Sequence, residues 1–246
     1  MVSPLVADGS AEGAGARTWA EWAEALSRAA AAGRETRTLL AERTVLDVFG
    51  PGAWGGGAAE QPVAVSTAAD GSARWSLGPD DAPVRRAELT ADRARAVADR
   101  DLLAHAAVAV GTAERALVLA RRRAGSRTVA GRPLIEMQST GHRLARVAAL
   151  VAVARISVRR AAQDEAAGVA AGHRAPAVAA GAAEAAFAVS HALVQVFGAA
   201  GTGDPAAIAA FEACQAAGAA AGPPAELWLQ AGRRRELGRH GLPAAG

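Results

Sequence analysis

The residues whose types and spacing could do chemistry fall in a few short stretches. Arg127, Gly131, Pro133 and Gln138 place a cation, a turn and an amide within twelve residues. Further on, Gln195-Val-Phe-Gly198-Ala-Ala-Gly201 sets an amide beside two glycines, where a backbone without Cβ atoms can be approached closely. A helix C-cap followed by a tight turn explains the same glycines equally well. The acidic pair Asp99 and Asp101 reads on its own as first-turn carboxylates that a helix dipole favours.

Other reactive residue types are dispersed. His105, His142, His173, His191 and His240 show no close pair, so they read as separate core or surface residues and no metal site is expected. Ser190 and His191 are adjacent, but neighbours on a helix point about 100° apart, which excludes a dyad. Cys214 stands alone in an Ala-rich segment; it excludes an internal disulfide and reads as a small packed residue.

The elements that must position these residues are mostly helices. Residues 1–16 are Gly- and Ala-rich without periodicity and read as a mobile tail. Thr18 and Glu21 have capping-box spacing, with Trp19, Trp22 and Leu26 on one face of the helix that follows. Gly33 breaks that helix, and a second helical piece is expected up to Phe49, before a Gly/Pro-rich loop over 50–62. Val63 to Thr67 and Ala73 to Leu77 alternate around Ala-Ala-Asp-Gly-Ser and predict a hairpin, the one β patch. From about Ala91 the chain reads as helical, with turns at 125–133, 168–176, 198–205 and 218–224. Val178, Ala182, Ala185, Val189, Leu193 and Val196 form one stripe on the helix from Ala175, and Ala183, Phe187, Val194 and Phe197 form another. A helix with two apolar faces is buried on both sides. The helix expected from Pro133 to Gln163, with Met137, Leu144, Val147, Val151 and Val158 on one face, reads the same way. An antiparallel bundle is the simplest solution.

Composition narrows the function classes. The chain has 246 residues, 51% of them hydrophobic, enough for a packed core. It contains no Lys, Tyr or Asn, and all 27 basic residues are Arg, as high-GC coding bias produces. A pI of 10.6 would suggest nucleic acid, but the formal charge is only +3 and neither a basic stripe nor interleaved aromatics are present. Arg121-Arg122-Arg123 and Arg233-Arg234-Arg235 read as solvated helix ends. No secretory signal and no uncharged apolar run of membrane-spanning length stand out, so the cytoplasm is expected and no membrane partner is.

One resemblance joins the first stretches. In the acyl-CoA dehydrogenase family an Arg-x-x-Phe-Gly-x-Pro turn joins two long helices of the C-terminal bundle, and a Gln follows seven residues after the Gly. This chain resembles that pattern through Arg127, Gly131, Pro133 and Gln138, with Ala130 in place of the Phe. His142 and Leu144-Ala145 fall where actinobacterial-type members carry them, and Gly111 holds a small-residue position upstream. Gln195 to Gly201 looks like the family's Gln-x-x-Gly-Gly-x-Gly segment, with Ala199 for the second Gly. The likeness runs from about Asp99 to Leu237. It divides the chain into the tail, a reduced helical and β region over 17–98, and a C-terminal bundle over 99–246.

The resemblance implies a mainly α fold, a C-terminal antiparallel bundle with a small N-terminal helical and hairpin remnant, and a role in flavin-dependent α,β-dehydrogenation of an acyl thioester. It implies that Arg127, Gln138, Gln195, Gly198 and Gly201 face the ADP part of a FAD held mainly by a neighbouring subunit. The family's catalytic Glu occupies one of two places. One corresponds here to Ala219-Ala220-Ala221-Gly222, without a carboxylate; the other, counted back from Arg127, is Asp101. Family members place an all-α domain and a flavin-gripping β domain ahead of the bundle, whereas here 98 residues precede it. The expectation is a subunit acting with itself or with a full-length acyl-CoA dehydrogenase. The alternatives are a cofactor-independent enzyme of cyclisation, elimination or proton transfer on the same bundle, and a non-catalytic structural partner.

Overall fold

A computed structural model describes residues 18–33, 40, 63–70, 72–77 and 85–239. The expected tail, the helical piece up to Phe49 except Leu40, and the loop over 50–62 lie outside these residues.

Thr18 starts α1 (Trp19–Ala31) through the capping box that its spacing dictates. The Thr18 backbone N–H donates to the Glu21 carboxylate at 2.7 Å, and the Glu21 N–H donates to Thr18 Oγ1 at 3.3 Å. Trp22 and Leu26 turn their faces fully into the core. Gly33 ends this helical segment with φ +69°.

The hairpin forms with the expected ends, β1 (Val63–Thr67) against β2 (Ala73–Leu77). Its turn is closed by the Ala68 N–H donating to the Ser72 carbonyl at 2.9 Å. A third strand, β3 (Arg85–Leu89), pairs antiparallel with β2. Its register sets Arg74 opposite Glu88, and the two side chains meet at 2.9 Å.

The bundle is built from α2 (Ala91–Ser126), α3 (Gln138–Ala166), α4 (Arg174–Phe197), α5 (Pro205–Ala219) and α6 (Pro224–Arg239). A two-residue hairpin, β4 (Thr128–Val129) with β5 (Arg132–Pro133), and one 3-10 turn over Leu134–Glu136 separate α2 from α3. Hence α3 begins at Gln138 rather than Pro133. The central element is α4, which packs against α2, α3, α5 and α6. Asp204 caps α5 by accepting from the Ala206 and Ala207 N–H groups, both at 3.0 Å.

Small residues let these helices approach closely. A Cβ added at Gly111 would lie 2.1 Å from the Ser27 carbonyl oxygen, so α1 and α2 cross backbone to backbone there. Gly111→Ala must push the helices apart, and overpacking of this kind costs about 1–3 kcal/mol. The expected result in urea denaturation is a lowered midpoint; an unchanged midpoint would show that the crossing is wider than described.

Two segments, Ala91–Ser126 and Arg174–Gly203, contain an 18-residue window long and apolar enough to cross a membrane. Within the bundle 61% and 56% of those windows are buried, so their apolar character already has a use as core. Helix α3 departs from the expected two-sided burial. Leu144, Val147, Val151 and Val158 are buried, Met137 is half-buried, and the opposite face is open to solvent.

Candidate functional site

Arg127 is the C-cap of α2, and its side chain crosses to the end of α4. Its Nη1 donates to the carbonyls of Val196 at 3.4 Å and Phe197 at 3.3 Å, two of the carbonyls that a helix end leaves unpaired. The Arg123 guanidinium sits 5.4 Å from the centroid of the Phe197 ring. Two cations therefore complement the C-terminal dipole of α4.

At that point Gly198 takes φ +58°, a left-handed conformation open to glycine, and stops the helix. A Cβ there would meet only Arg127 Nη1 at 3.5 Å, an ordinary contact, so the backbone is open from outside. Gln138 and Gln195 are exposed, and among the described residues their side chains make no hydrogen bond. Gly201 has an internal reason for being glycine, since its Cβ would stand 2.9 Å from the Phe197 Cβ. The fold thus brings Arg127 beside Gly198 at the shared C-terminal end of α2 and α4, and a helix stop accounts for much of the glycine segment.

Ala130 and Gly131 form the loop of the β4–β5 hairpin, with φ +50° and +78°. Two-residue hairpin turns demand such values. A left-handed backbone costs an ordinary residue about 1–2 kcal/mol, and glycine gives back about 0.5–1 kcal/mol in chain entropy. Ala130→Gly is therefore expected to stabilise the chain by about 0.5–1 kcal/mol in chemical denaturation. A loss of stability would contradict this account of the turn.

Asp101 lies near the other end of α2, with its side chain 45% exposed. The helix starts at Ala91 and its first turn holds Asp92, so neither Asp99 nor Asp101 is a first-turn carboxylate. His105, one turn on, directs Nδ1 at the Asp101 carbonyl at 3.0 Å and stands 3.5 Å from Asp101 Oδ2. The i,i+4 spacing on one helix was the available signal for this pair.

Asp99 faces inward and is 4% exposed. Arg234 of α6 donates to its Oδ1 and, at 3.1 Å, to the Gly172 carbonyl. Burial pushes the Asp99 pKa up, and the Arg234 hydrogen bond and charge oppose that rise. Arg234 is thus turned inward, not the solvated helix-end residue expected. Beside it, Asp164 accepts from Arg174 and pairs with Arg160 at 3.1 Å, while Arg100 meets Glu165 at 2.6 Å. These ion pairs tie α2, α3, α4 and α6 together at the end opposite Gly198.

The remaining reactive residues are structural. Ser190, fully buried, donates to the Phe187 carbonyl and accepts from Gln215 Nε2, both at 2.8 Å, which pins α5 to α4. Cys214 is fully buried, with its thiol pushed up to about 12 by burial, so it carries no thiolate at neutral pH.

The family model for the acyl-CoA dehydrogenase C-terminal domain matches residues 93–236, more than half of the chain. The chain belongs to the acyl-CoA dehydrogenase family. Solved relatives agree on the fold. The ChsE4-ChsE5 complex from Mycobacterium tuberculosis is 30% identical, with TM-score 0.59, over 76% of this chain and 51% of that one. Butyryl-CoA dehydrogenase from Megasphaera elsdenii is 19% identical, with TM-score 0.58, over 70% and 54%. An acyl-CoA dehydrogenase from Mycobacterium smegmatis is 20% identical, with TM-score 0.62, over 73% and 56%. Among curated proteins no sequence match is found. This family member spans about half the length of the solved relatives it matches, and what it matches is the helical domain.

FAD is the cofactor the family implies, and the open backbone at Gly198 is the observation that tests the fit. Arg127 lies beside the approachable backbone of Gly198, while Gln138 opens α3 and Gln195 lies in the last turn of α4, both exposed. Gly201 belongs to the packing of Phe197.

Proposed function

We propose that this chain is an acyl-CoA dehydrogenase-type subunit that works with a full-length partner, sharing flavin across their interface, in the α,β-dehydrogenation of an acyl thioester. Arg127, Gln138, Gln195 and Gly198 would line the ADP part of FAD. When bound, FAD would supply the hydride acceptor. Asp101 would take the proton from the carbon beside the thioester carbonyl, with its carboxylate held next to His105.

The observation that carries this reading is a separation. Arg127 and Asp101 are 127 − 101 = 26 residues apart on one helix, which at about 1.5 Å per residue is about 39 Å. That exceeds the span of one dinucleotide, so Arg127 and the base of one chain cannot serve the same flavin. Each flavin then needs a second subunit. The ChsE4-ChsE5 relative, solved as a complex, supports a two-protein assembly.

Native mass spectrometry of the 24.6 kDa chain, alone and mixed with full-length acyl-CoA dehydrogenases of the same cell, tests the assembly. The expected result is a new species containing both chains. A chain whose mass no such partner changes would remove the basis for a shared site.

A further inference from the structure

Two arginines at the end of α2 hold the last residues of α4 in different ways. Arg127 donates to the Val196 and Phe197 carbonyls. Arg123 reaches the side chain instead: its guanidinium lies over the Phe197 ring, 5.4 Å from the centroid. Its Nε is buried and, among the described residues, has no hydrogen-bond partner. A buried donor without an acceptor carries a desolvation cost, so the position is held by another contact. That contact is the ring, because a guanidinium within about 6 Å of an aromatic centroid is attracted to its face.

Phe197 is also what anchors the turn after it. The 3-10 turn Gly198–Gly203 has no buried residue of its own. Its side-chain and closing bonds, from Thr202 Oγ1 to the Ala199 carbonyl at 2.8 Å and from the Asp204 N–H to the Gly201 carbonyl at 3.3 Å, stay local. The Phe197 side chain, in contrast, is 3% exposed, and Gly201 closes on it so tightly that a Cβ there would stand 2.9 Å from the Phe197 Cβ. The turn is therefore wrapped on a core residue whose ring Arg123 holds. We propose that Arg123 is a positioning residue: through Phe197 it fixes the Gly198 backbone that the cofactor would approach. The inference rests on the proposed cofactor role for what the turn serves, but the holding itself is read on the chain alone, so the two fail separately.

Amide hydrogen exchange of the full chain, with Arg123→Met and Arg123→Lys beside the parent, makes the test. Met keeps the length of the side chain and removes its charge, whereas Lys keeps a cation that can lie over the ring. The Gly198 N–H, bonded to the Val194 carbonyl, and the Asp204 N–H report on the turn, and amides in the middle of α3 serve as the control. Arg123→Met is expected to speed exchange of the two reporters about fivefold, and Arg123→Lys to stay within about twofold of the parent, as a cation over a ring requires. Phe197→Leu should match Arg123→Met, and the double variant should exchange no faster than either, because both changes remove the same contact. Unchanged exchange in Arg123→Met, a Lys variant as fast as Met, or additive effects in the double variant would overturn the proposal. In the complex with a full-length partner, Arg123→Met should retain less flavin after dialysis than Arg123→Lys, and equal retention in a yellow complex would break the link to the cofactor. A colourless parent complex would count against the cofactor reading alone, and the exchange result would still decide whether Arg123 holds the turn.

Discussion

Asp101→Asn in the assembled complex lowers the rate of acyl-thioester dehydrogenation by about 10²–10⁴-fold, the usual contribution of a positioned proton acceptor. The substitution keeps the shape of the side chain and removes its basic oxygen. Asp101 is half exposed on a helix surface, so neither fold nor assembly should change, and native mass and flavin absorption serve as controls. The carboxylate is one methylene shorter than the Glu of the family. A misplacement of about 1 Å can cost about 10²-fold, so Asp101→Glu is the informative companion variant and should retain activity. Activity of Asp101→Asn within a few-fold of the parent would eliminate Asp101 as the base. The Ala219-Ala220-Ala221-Gly222 segment has no carboxylate to replace it.

Arg234→Met has the largest expected effect on stability. It leaves the buried Asp99 carboxylate without its hydrogen-bonded cation, and breaking a buried pair from one side costs about 3–5 kcal/mol. The pH dependence follows from the raised pKa of Asp99. A carboxyl whose folded pKa exceeds its ordinary value contributes stability below that ordinary value and loses it as pH rises through the folded pKa. Without Arg234 the folded pKa rises further, so the deficit relative to the parent should be full at about pH 7 and shrink as the solution is acidified toward about pH 5. Asp99→Asn in the same chain should recover part of the loss, because a neutral amide at that position has no charge to bury. Urea denaturation of parent, single and double variants at both pH values checks this. A pH-independent loss below about 1 kcal/mol would mean that the pair is solvated after all.

Features set by near neighbours were legible in the sequence. The Thr18–Glu21 capping box depends on a spacing of three, and the hairpin depends on alternation around a turn, so both appeared where expected. Strand β3 escaped because Arg-Arg-Ala-Glu-Leu offers almost no apolar alternation, and its pairing depends on the edge that β2 presents. The Arg233–Arg235 run reads as solvated because Asp99, the partner that turns Arg234 inward, is 135 residues away. Periodicity showed that α3 has apolar residues on more than one face. It could not show that the described bundle covers only one of them. At the candidate site, the Arg127–Gly198 encounter needs the C-terminal ends of α2 and α4 to meet, which no local pattern contains, whereas the likeness of both segments to one family pointed to it.

Visible absorption after extensive dialysis tests the shared site most directly, measured on the chain alone and on its purified complex with a full-length partner. The account predicts a colourless chain and a yellow complex in which Gly198→Val in this chain lowers the flavin retained. A chain that stays yellow by itself, with one flavin per chain, would contradict it.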